Sequence, residues 1–244
     1  MFTRAKNLFS KLKTFEIDQA VAACWKREPS TAKLAFVVAL IVGFVSHMFI
    51  YTNRYYGNHD LGTILRLNPL TSSGRWFQSS VNYLSFGYVI PLTTGLFVAF
   101  FLGLAAYYVC KILAIEKTVN AVLIGALMAT FPSISDTNLY LYDTSSIHLA
   151  VLLSVLAVYV TLRYKYGCAA GALLLFFALT IYQAKANVAV ALCLFYLLKL
   201  LLAREFAYKK LFFALVRLAI LTGGGGVRAF ALPYPPRIVG LPRH

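Results

Sequence analysis

Acidic residues are scarce in this sequence, and charged residues of either sign are few. Only 8 of the 244 residues are Asp or Glu, against 23 Lys or Arg, and charged residues together make up 13% of the chain. Soluble domains carry about 25% charged and about 45–50% apolar residues. Here hydrophobic residues reach 60% and the mean hydropathy is +0.74. These values exclude an ordinary soluble domain and indicate an integral membrane protein.

Cysteine is also sparse, and the common catalytic motifs are missing. The four cysteines, Cys24, Cys110, Cys168 and Cys193, have no metal-type spacing and lie in the basic tail or beside apolar segments, which argues against extracellular disulfides. The sequence contains no glycine-rich phosphate loop, no His/Cys metal pattern and no nucleophile elbow. We therefore predict no metal site and no cofactor, and any membrane transferase activity would need a lipid-linked donor.

The excess of positive charge, +15 at pH 7, is concentrated in short segments between apolar runs. A nucleic-acid-binding protein carries its cations on one face or along one helix. The distribution found here is the positive-inside pattern of membrane proteins, whose basic loops face the cytoplasm. The sequence thus predicts membrane lipids as partners and no nucleic acid.

Long apolar segments predict an all-α, polytopic transmembrane helix bundle of about six or seven spans. A helix needs about 20 apolar residues to cross a bilayer. An interfacial segment is expected around residues 76–86, and Pro132 is expected to stop the third span because proline breaks helices. The predicted spans are residues 34–51, 88–108, 118–131, 147–162, 168–182 and 188–202, with a seventh starting near residue 211.

The charge distribution also predicts the orientation of the bundle. The tail and inner loops hold about sixteen Lys and Arg, whereas the outer segments hold four, Arg54, Arg66, Arg75 and Lys185. This asymmetry places the N-terminus in the cytoplasm. The predicted organisation is a basic amphipathic tail over residues 1–33, followed by a bundle over residues 34–222 with an outer loop at 52–78.

Residues 223–244 differ in character from the rest of the chain. Four glycines are followed by a segment rich in Pro and Arg without a helical period. The abrupt change is typical of a reading-frame slip, and the alternative is an ordinary flexible tail. We expect a frameshifted tail and hence a C-terminally truncated protein.

The first outer loop offers the strongest candidate for a catalytic group. Asp60 follows the first predicted span, at the depth of the lipid phosphates, and a carboxylate there can act as a general base toward an acceptor hydroxyl. Arginine side chains bind phosphate oxygens in a bidentate way, which suits a lipid-phosphate leaving group. The alternatives are a helix cap or an ion pair for Asp60, and an interfacial anchor for Arg75.

Further polar residues on the outer side are candidates for substrate binding. Asp136 and Asp143 lie on the outer loop before the fourth predicted span, which they would alternatively cap. Gln183 and Lys185 lie in "YQAKAN", which alternatively forms only a tight turn. The complete predicted site consists of Asp60 as catalytic residue and His59, Arg66, Arg75, Asp136, Asp143, Gln183 and Lys185 as substrate-binding residues.

Four short motifs in order resemble one known family. They are "NHDLG" on the outer loop, "SGRW" at its end, "FPSISD" after a span and "YQA" between two later spans. Over about residues 34–205 the sequence resembles the type II Gtr family, the serotype-converting glucosyltransferases of bacteria and their phages.

The resemblance implies a fold and an activity. The fold is that of the C-type glycosyltransferase superfamily, whose first outer loop carries an essential acid, here Asp60. The activity is transfer of glucose from undecaprenyl phosphate glucose to O-antigen units of lipopolysaccharide, on the periplasmic face of the inner membrane. Similar proteins are longer, which agrees with a truncation after Thr222. A transporter or lipid flippase subunit, a non-catalytic scaffold and an inactive truncated product are the alternatives; the location of charges at span ends favours chemistry at the membrane surface.

Overall fold

The computed structural model of the protein describes residues 25–53, 74–82, 90–202, 212, 214–219 and 221. The regular structure in these residues is helical. No strand occurs among these residues. The predictions for His59, Asp60 and Arg66, for most of the tail and for residues 223–244 lie outside them. The helices are α1 (Ser30–Ser46), α2 (Met48–Thr52), α3 (Trp76–Asn82), α4 (Pro91–Leu113), α5 (Thr118–Thr130), α6 (Pro132–Asn138), α7 (Thr144–Arg163), α8 (Gly167–Ile181) and α9 (Asn187–Leu201), with a 3₁₀ turn at Gln183–Ala186 before α9.

Four segments of the described chain are long and apolar enough to cross a membrane. The helices α1 and α8 are equally apolar but shorter, with 17 and 15 residues. These findings confirm the predicted all-α membrane helix bundle, while the number of crossings stays a prediction. The four segments are Pro91–Leu113, Thr118–Asn138, Thr144–Arg163 and Gln183–Leu201.

Two prolines mark helix starts that the sequence pattern placed differently. Pro91, expected inside an apolar run, is the first residue of α4, where its missing N–H leaves no hydrogen bond unmade. Pro132 ends α5 as predicted but also begins the short helix α6. The segment after the third predicted span therefore starts with a helix of seven residues.

The first predicted span is divided at His47. The helix α1 begins at Ser30, ahead of the predicted Leu34, and ends at Ser46, after which α2 starts at Met48. The His47 ring contributes to holding this break in place, because its Nε2 lies 3.0 Å from the carbonyl oxygen of Ala129 at the end of α5.

Small residues let neighbouring helices approach closely. In α8, Gly167 and Gly171 are spaced four apart and face α7, as in the small-xxx-small motif of membrane helices. A Cβ atom added at Gly171 would lie 2.1 Å from Thr161 Oγ1 and 2.7 Å from the backbone oxygen of Ala157. The contact between α7 and α8 therefore requires glycine at this position.

We predict that Gly171→Leu destabilises the bundle, whereas Ala170→Leu does not. Ala170 is the adjacent residue and is exposed, so its larger side chain extends away from α7. Overpacking typically costs about 1–3 kcal/mol. The melting temperature of the purified protein should fall for Gly171→Leu only, and equal melting of the two variants would show that α7 and α8 do not pack as described.

Parallel and antiparallel packing of the helices gives the bundle two distinct ends. The basic end contains the start of α1 and the ends of α4 and α7; the polar end contains α2, α3, α6, the start of α7 and the 3₁₀ turn. Among the described residues, only Arg75 and Lys185 place a cation at the polar end. The cations of the basic end are Lys26, Arg27, Lys33, Lys111, Lys117, Arg163, Lys165, Lys199 and Arg217.

Candidate active site at the polar end

Gly74 and Arg75, just before α3, lie against the segment "YQAKAN". From Arg75 to Tyr182, the first residue of that segment, the distance along the chain is 107 residues. Packing of Phe77 on Phe177 of α8, with ring centroids 4.9 Å apart, fixes α3 at this position. The guanidinium carbon of Arg75 then lies 4.3 Å from the centroid of the Tyr182 ring. Stacking on an aromatic face holds an arginine in one orientation and leaves its N–H groups available at the ring edge.

Gly74 allows the turn that places Arg75. Its φ angle is +75°, a conformation that side chains disfavour, and a Cβ atom there would lie 3.2 Å from Nε2 of Gln183. The structure therefore brings together three residues that the sequence proposed separately, Arg75, Gln183 and Lys185. Gln183 and Lys185 belong to a 3₁₀ turn. This confirms the prediction that "YQAKAN" forms a turn, and the turn lies at the candidate site.

Asp136 and Lys185 contribute opposite charges to this end. Asp136 is exposed on α6, and Lys185 is half-buried in the 3₁₀ turn. The carboxylate acts electrostatically on the ammonium group, although the two do not form a direct ion pair. Since Asp136 lies within α6, the alternative that it caps the fourth predicted span is wrong.

Asp143 occupies the N-cap position of α7 but makes no capping hydrogen bond with its side chain. Its Oδ1 instead accepts a hydrogen bond of 3.0 Å from Nδ2 of Asn82. The prediction that Asp143 caps this helix is therefore right for its position at the N-cap. It is wrong for the capping hydrogen bond, which the side chain does not make. The hydrogen bond links α3 to α7 and orients the carboxylate toward the α3 side of the site.

A buried layer of polar side chains lies beneath these charged residues. Thr144 Oγ1 donates a hydrogen bond of 3.0 Å to Asn138 Oδ1. His148 Nδ1 lies 2.6 Å from the Thr144 carbonyl oxygen, which can only accept, so Nδ1 carries the proton and Nε2 is an acceptor. Asn138, Thr144 and His148 each have no exposed surface. The layer therefore joins α6 to the first two turns of α7.

Several buried side-chain atoms at this end of the bundle have no hydrogen-bond partner. They are Oε1 and Nε2 of Gln78, Oδ1 of Asn82, Nδ2 of Asn138, Nε2 of His148 and the hydroxyl of Tyr51. An unsatisfied buried polar group costs about 1–3 kcal/mol. The set contains both donors and acceptors, which is the complement that water or hydroxyl groups of a ligand require.

Sequence reasoning missed this layer, although a signal was present. Gln78 and Asn82 are four residues apart, hence on one face of a helix, with Ser79 and Ser80 between them. The polar run Thr144–Ser146, just before a predicted span, carried a second signal. Neither observation predicts that the two segments meet, since Asn82 and Asp143 are 61 positions apart.

Metal binding has no preformed site in the part of the chain that the structure describes. No group of three or more His, Cys, Asp or Glu residues is arranged there to hold an ion. The catalytic candidate Asp60, together with His59 and Arg66, belongs to the segment outside the described residues. The described part of the site thus consists of two cations, two carboxylates and the buried polar layer.

The fold and the polar end define a membrane helix bundle with charged and buried polar groups gathered at one end. The family model described as glucosyl transferase GtrII matches residues 48–233. The chain belongs to this family and is a glycosyltransferase by that membership, which confirms the resemblance found in its motifs. Among curated proteins and among solved structures, no significant match is found.

Proposed function

We propose that the protein transfers glucose from undecaprenyl phosphate glucose to O-antigen units at the polar end of the bundle, facing the periplasm. The observation that carries this proposal is the stacking of Arg75 on Tyr182 beside Lys185. These two are the cations that the described residues place at this end of the bundle. A lipid phosphate at the membrane surface is the ligand that such a pair suits.

The proposed reaction is a displacement at the anomeric carbon of glucose. Asp60 removes the proton from an acceptor hydroxyl, whose oxygen forms a bond to that carbon. The bond between the anomeric carbon and the phosphate oxygen breaks, and the lipid phosphate leaves with the bonding electrons. Arg75 and Lys185 stabilise the negative charge that develops on the departing phosphate.

The proposal includes an opening of the buried polar layer when the donor binds, after which the layer gives the sugar a set of binding partners. Glucose hydroxyls both donate and accept, and the unpartnered amide groups of Gln78 and Asn138 with the acceptor nitrogen of His148 match that mixed demand. Sites that hydrogen-bond a substrate hydroxyl reject analogues without it strongly. The layer therefore supports a hydrophilic donor sugar over an apolar substrate.

A transfer assay with the full-length chain in proteoliposomes tests the proposal. Undecaprenyl phosphate carrying radiolabelled glucose and an O-antigen acceptor are supplied, and label is followed into the acceptor. We expect transfer that depends on the protein and releases undecaprenyl phosphate. Folded protein that binds the donor but labels no acceptor, at any acceptor composition tried, would refute it.

Orientation in the membrane can be tested separately by cysteine labelling. Ser133 at the polar end and Tyr166 at the basic end are both exposed, and Cys replaces each of them in a chain without its native cysteines. An impermeant maleimide should label Ser133→Cys but not Tyr166→Cys in intact spheroplasts. Permeabilised cells, in which both should react, are the control; the reverse pattern would place the polar end in the cytoplasm.

One feature favours the transporter alternative, the fully buried imidazole of His148 close to the charge of Lys185. Buried ionisable groups are common in the proton and substrate pathways of transporters. A transporter would move the glucose lipid between leaflets without breaking its glycosidic phosphate bond. The proteoliposome assay separates the two functions, because only transfer releases undecaprenyl phosphate.

A further inference from the structure

A cavity of about 660 Å³ lies at the basic end, opposite the candidate active site. Its walls come from the segment before α1, from the end of α4 and from the end of α7. It is lined by three cations, Arg27, Lys111 and Arg163, and by the acids Glu28 and Glu116. The reaction proposed above uses none of these residues.

Two of the lining charges neutralise each other. Nζ of Lys111 lies 2.6 Å from Oε2 of Glu28 and also lies 5.2 Å from the ring centroids of Tyr107 and Tyr159. The hydrogen bond from Lys111 lowers the pKa of the Glu28 carboxyl, so the pair stays ionised near neutral pH. The remaining charges are two positive ones, on Arg27 and Arg163, and one negative one, on Glu116. The cavity therefore has a net positive charge.

Backbone polarity strengthens this preference for an anion. The helix α1 starts at the cavity without a capping side chain and without an acid in its first turn, so its first N–H groups lack partners within the helix. The helix carbonyls nearby are occupied: Cys110 and Lys111 accept from the turn after α4, and Thr161 and Leu162 accept from Arg217. The backbone thus presents donors here rather than free acceptors.

The location of the cavity favours a membrane lipid over a soluble anion as the ligand. It lies where apolar helices end, flanked by the exposed aromatic residues Trp25 and Tyr164, which are typical of the membrane–water interface. Beside it, the exposed side chains of Val37 and Ile41 on α1 form an apolar strip. An anionic group entering at this depth would carry its hydrocarbon chains along that strip.

We propose that this cavity binds the phosphate headgroup of an anionic phospholipid. Arg27 and Arg163 contact the phosphate oxygens, the start of α1 adds backbone donors, and the acyl chains lie on α1. Cationic recesses between membrane helices bind anionic headgroups by this combination of charge and depth. The proposal does not depend on the transferase activity.

Native mass spectrometry of the purified full-length protein tests it by counting bound lipids during titration. Phosphatidylglycerol should bind at least about tenfold more tightly than zwitterionic phosphatidylcholine. Arg27→Gln and Arg163→Gln should each weaken the phosphatidylglycerol complex about fivefold, the effect of one cation near a lipid headgroup. Glu116→Gln should strengthen it, because the change removes an opposing charge.

Lys165→Gln is the matched control, since Lys165 lies two residues after Arg163 but does not line the cavity. Its affinity for phosphatidylglycerol should stay within about twofold of wild type, because exposed charges outside the cavity are screened. Unchanged binding in both arginine variants, or equal losses in Lys165→Gln, would overturn the site. Displacement of the lipid by millimolar inorganic phosphate would overturn its assignment to a phospholipid.

Discussion

The Asp60→Asn protein is expected to transfer glucose at least about 100-fold more slowly than the wild-type chain. Asparagine keeps the size of the side chain but cannot take a proton from the acceptor hydroxyl. Binding of the donor should change little, because the acid is proposed to act on the acceptor. The initial rate of label transfer in proteoliposomes, at equal amounts of folded protein, measures the effect.

A control variant at another acidic residue and the helix-cap alternative test whether the effect is specific to a catalytic Asp60. Asp18→Asn, in the predicted tail, should leave the rate unchanged. If Asp60 only caps a helix, Asp60→Asn should also be nearly silent, because Asn caps about as well as Asp. Near-wild-type transfer by Asp60→Asn would therefore contradict the assignment and leave Asp136 and Asp143 as the next candidates for the base.

Replacement of Arg75 by Lys is expected to raise the KM for the lipid-linked donor about tenfold to a hundredfold, with a smaller change in kcat. The charge is kept, but the bidentate fork and the stacking on the Tyr182 ring at 4.3 Å are lost. Hydrogen bonds to charged groups are worth about 1.5–3 kcal/mol, which corresponds to this range. Donor titrations in the transfer assay separate the two constants.

Tyr182→Leu provides an independent measure of the same contact. It keeps the Arg75 guanidinium but removes its aromatic support, so the donor KM should shift in the same direction by a smaller factor. Lys117→Gln, which removes a cation at the basic end, should have no effect on either constant. An Arg75→Lys protein with wild-type donor KM would show that Arg75 only anchors α3 at the membrane surface.

The architecture was accessible from the sequence because lipid imposes a simple rule. Apolar runs of sufficient length must be helical, since a bilayer offers the backbone no other partner. Helix ends were less predictable. Pro91 could be read inside a span, and Pro132 only as a stop, although both begin helices; the break at His47 depends on a contact with Ala129, 82 positions away.

The candidate site was predictable in its charged residues but not in its buried ones. Lys185 and Arg75 attract attention because cations are rare on the predicted outer side. Gln78, Asn138 and His148 matter only because α3, α6 and α7 meet, and that meeting depends on side-chain packing between distant segments such as Phe77 on Phe177. Hydrophobic periodicity carries no information on such long-range pairing.

Mass spectrometry of lipopolysaccharide from cells with and without the gene tests the central claim most directly, that this chain glucosylates O-antigen. Expression of the wild-type protein should add one hexose to O-antigen repeat units, and expression of Asp60→Asn at the same membrane abundance should not. Lipopolysaccharide of unchanged mass, in cells that hold the folded wild-type protein and make undecaprenyl phosphate glucose, would contradict the account.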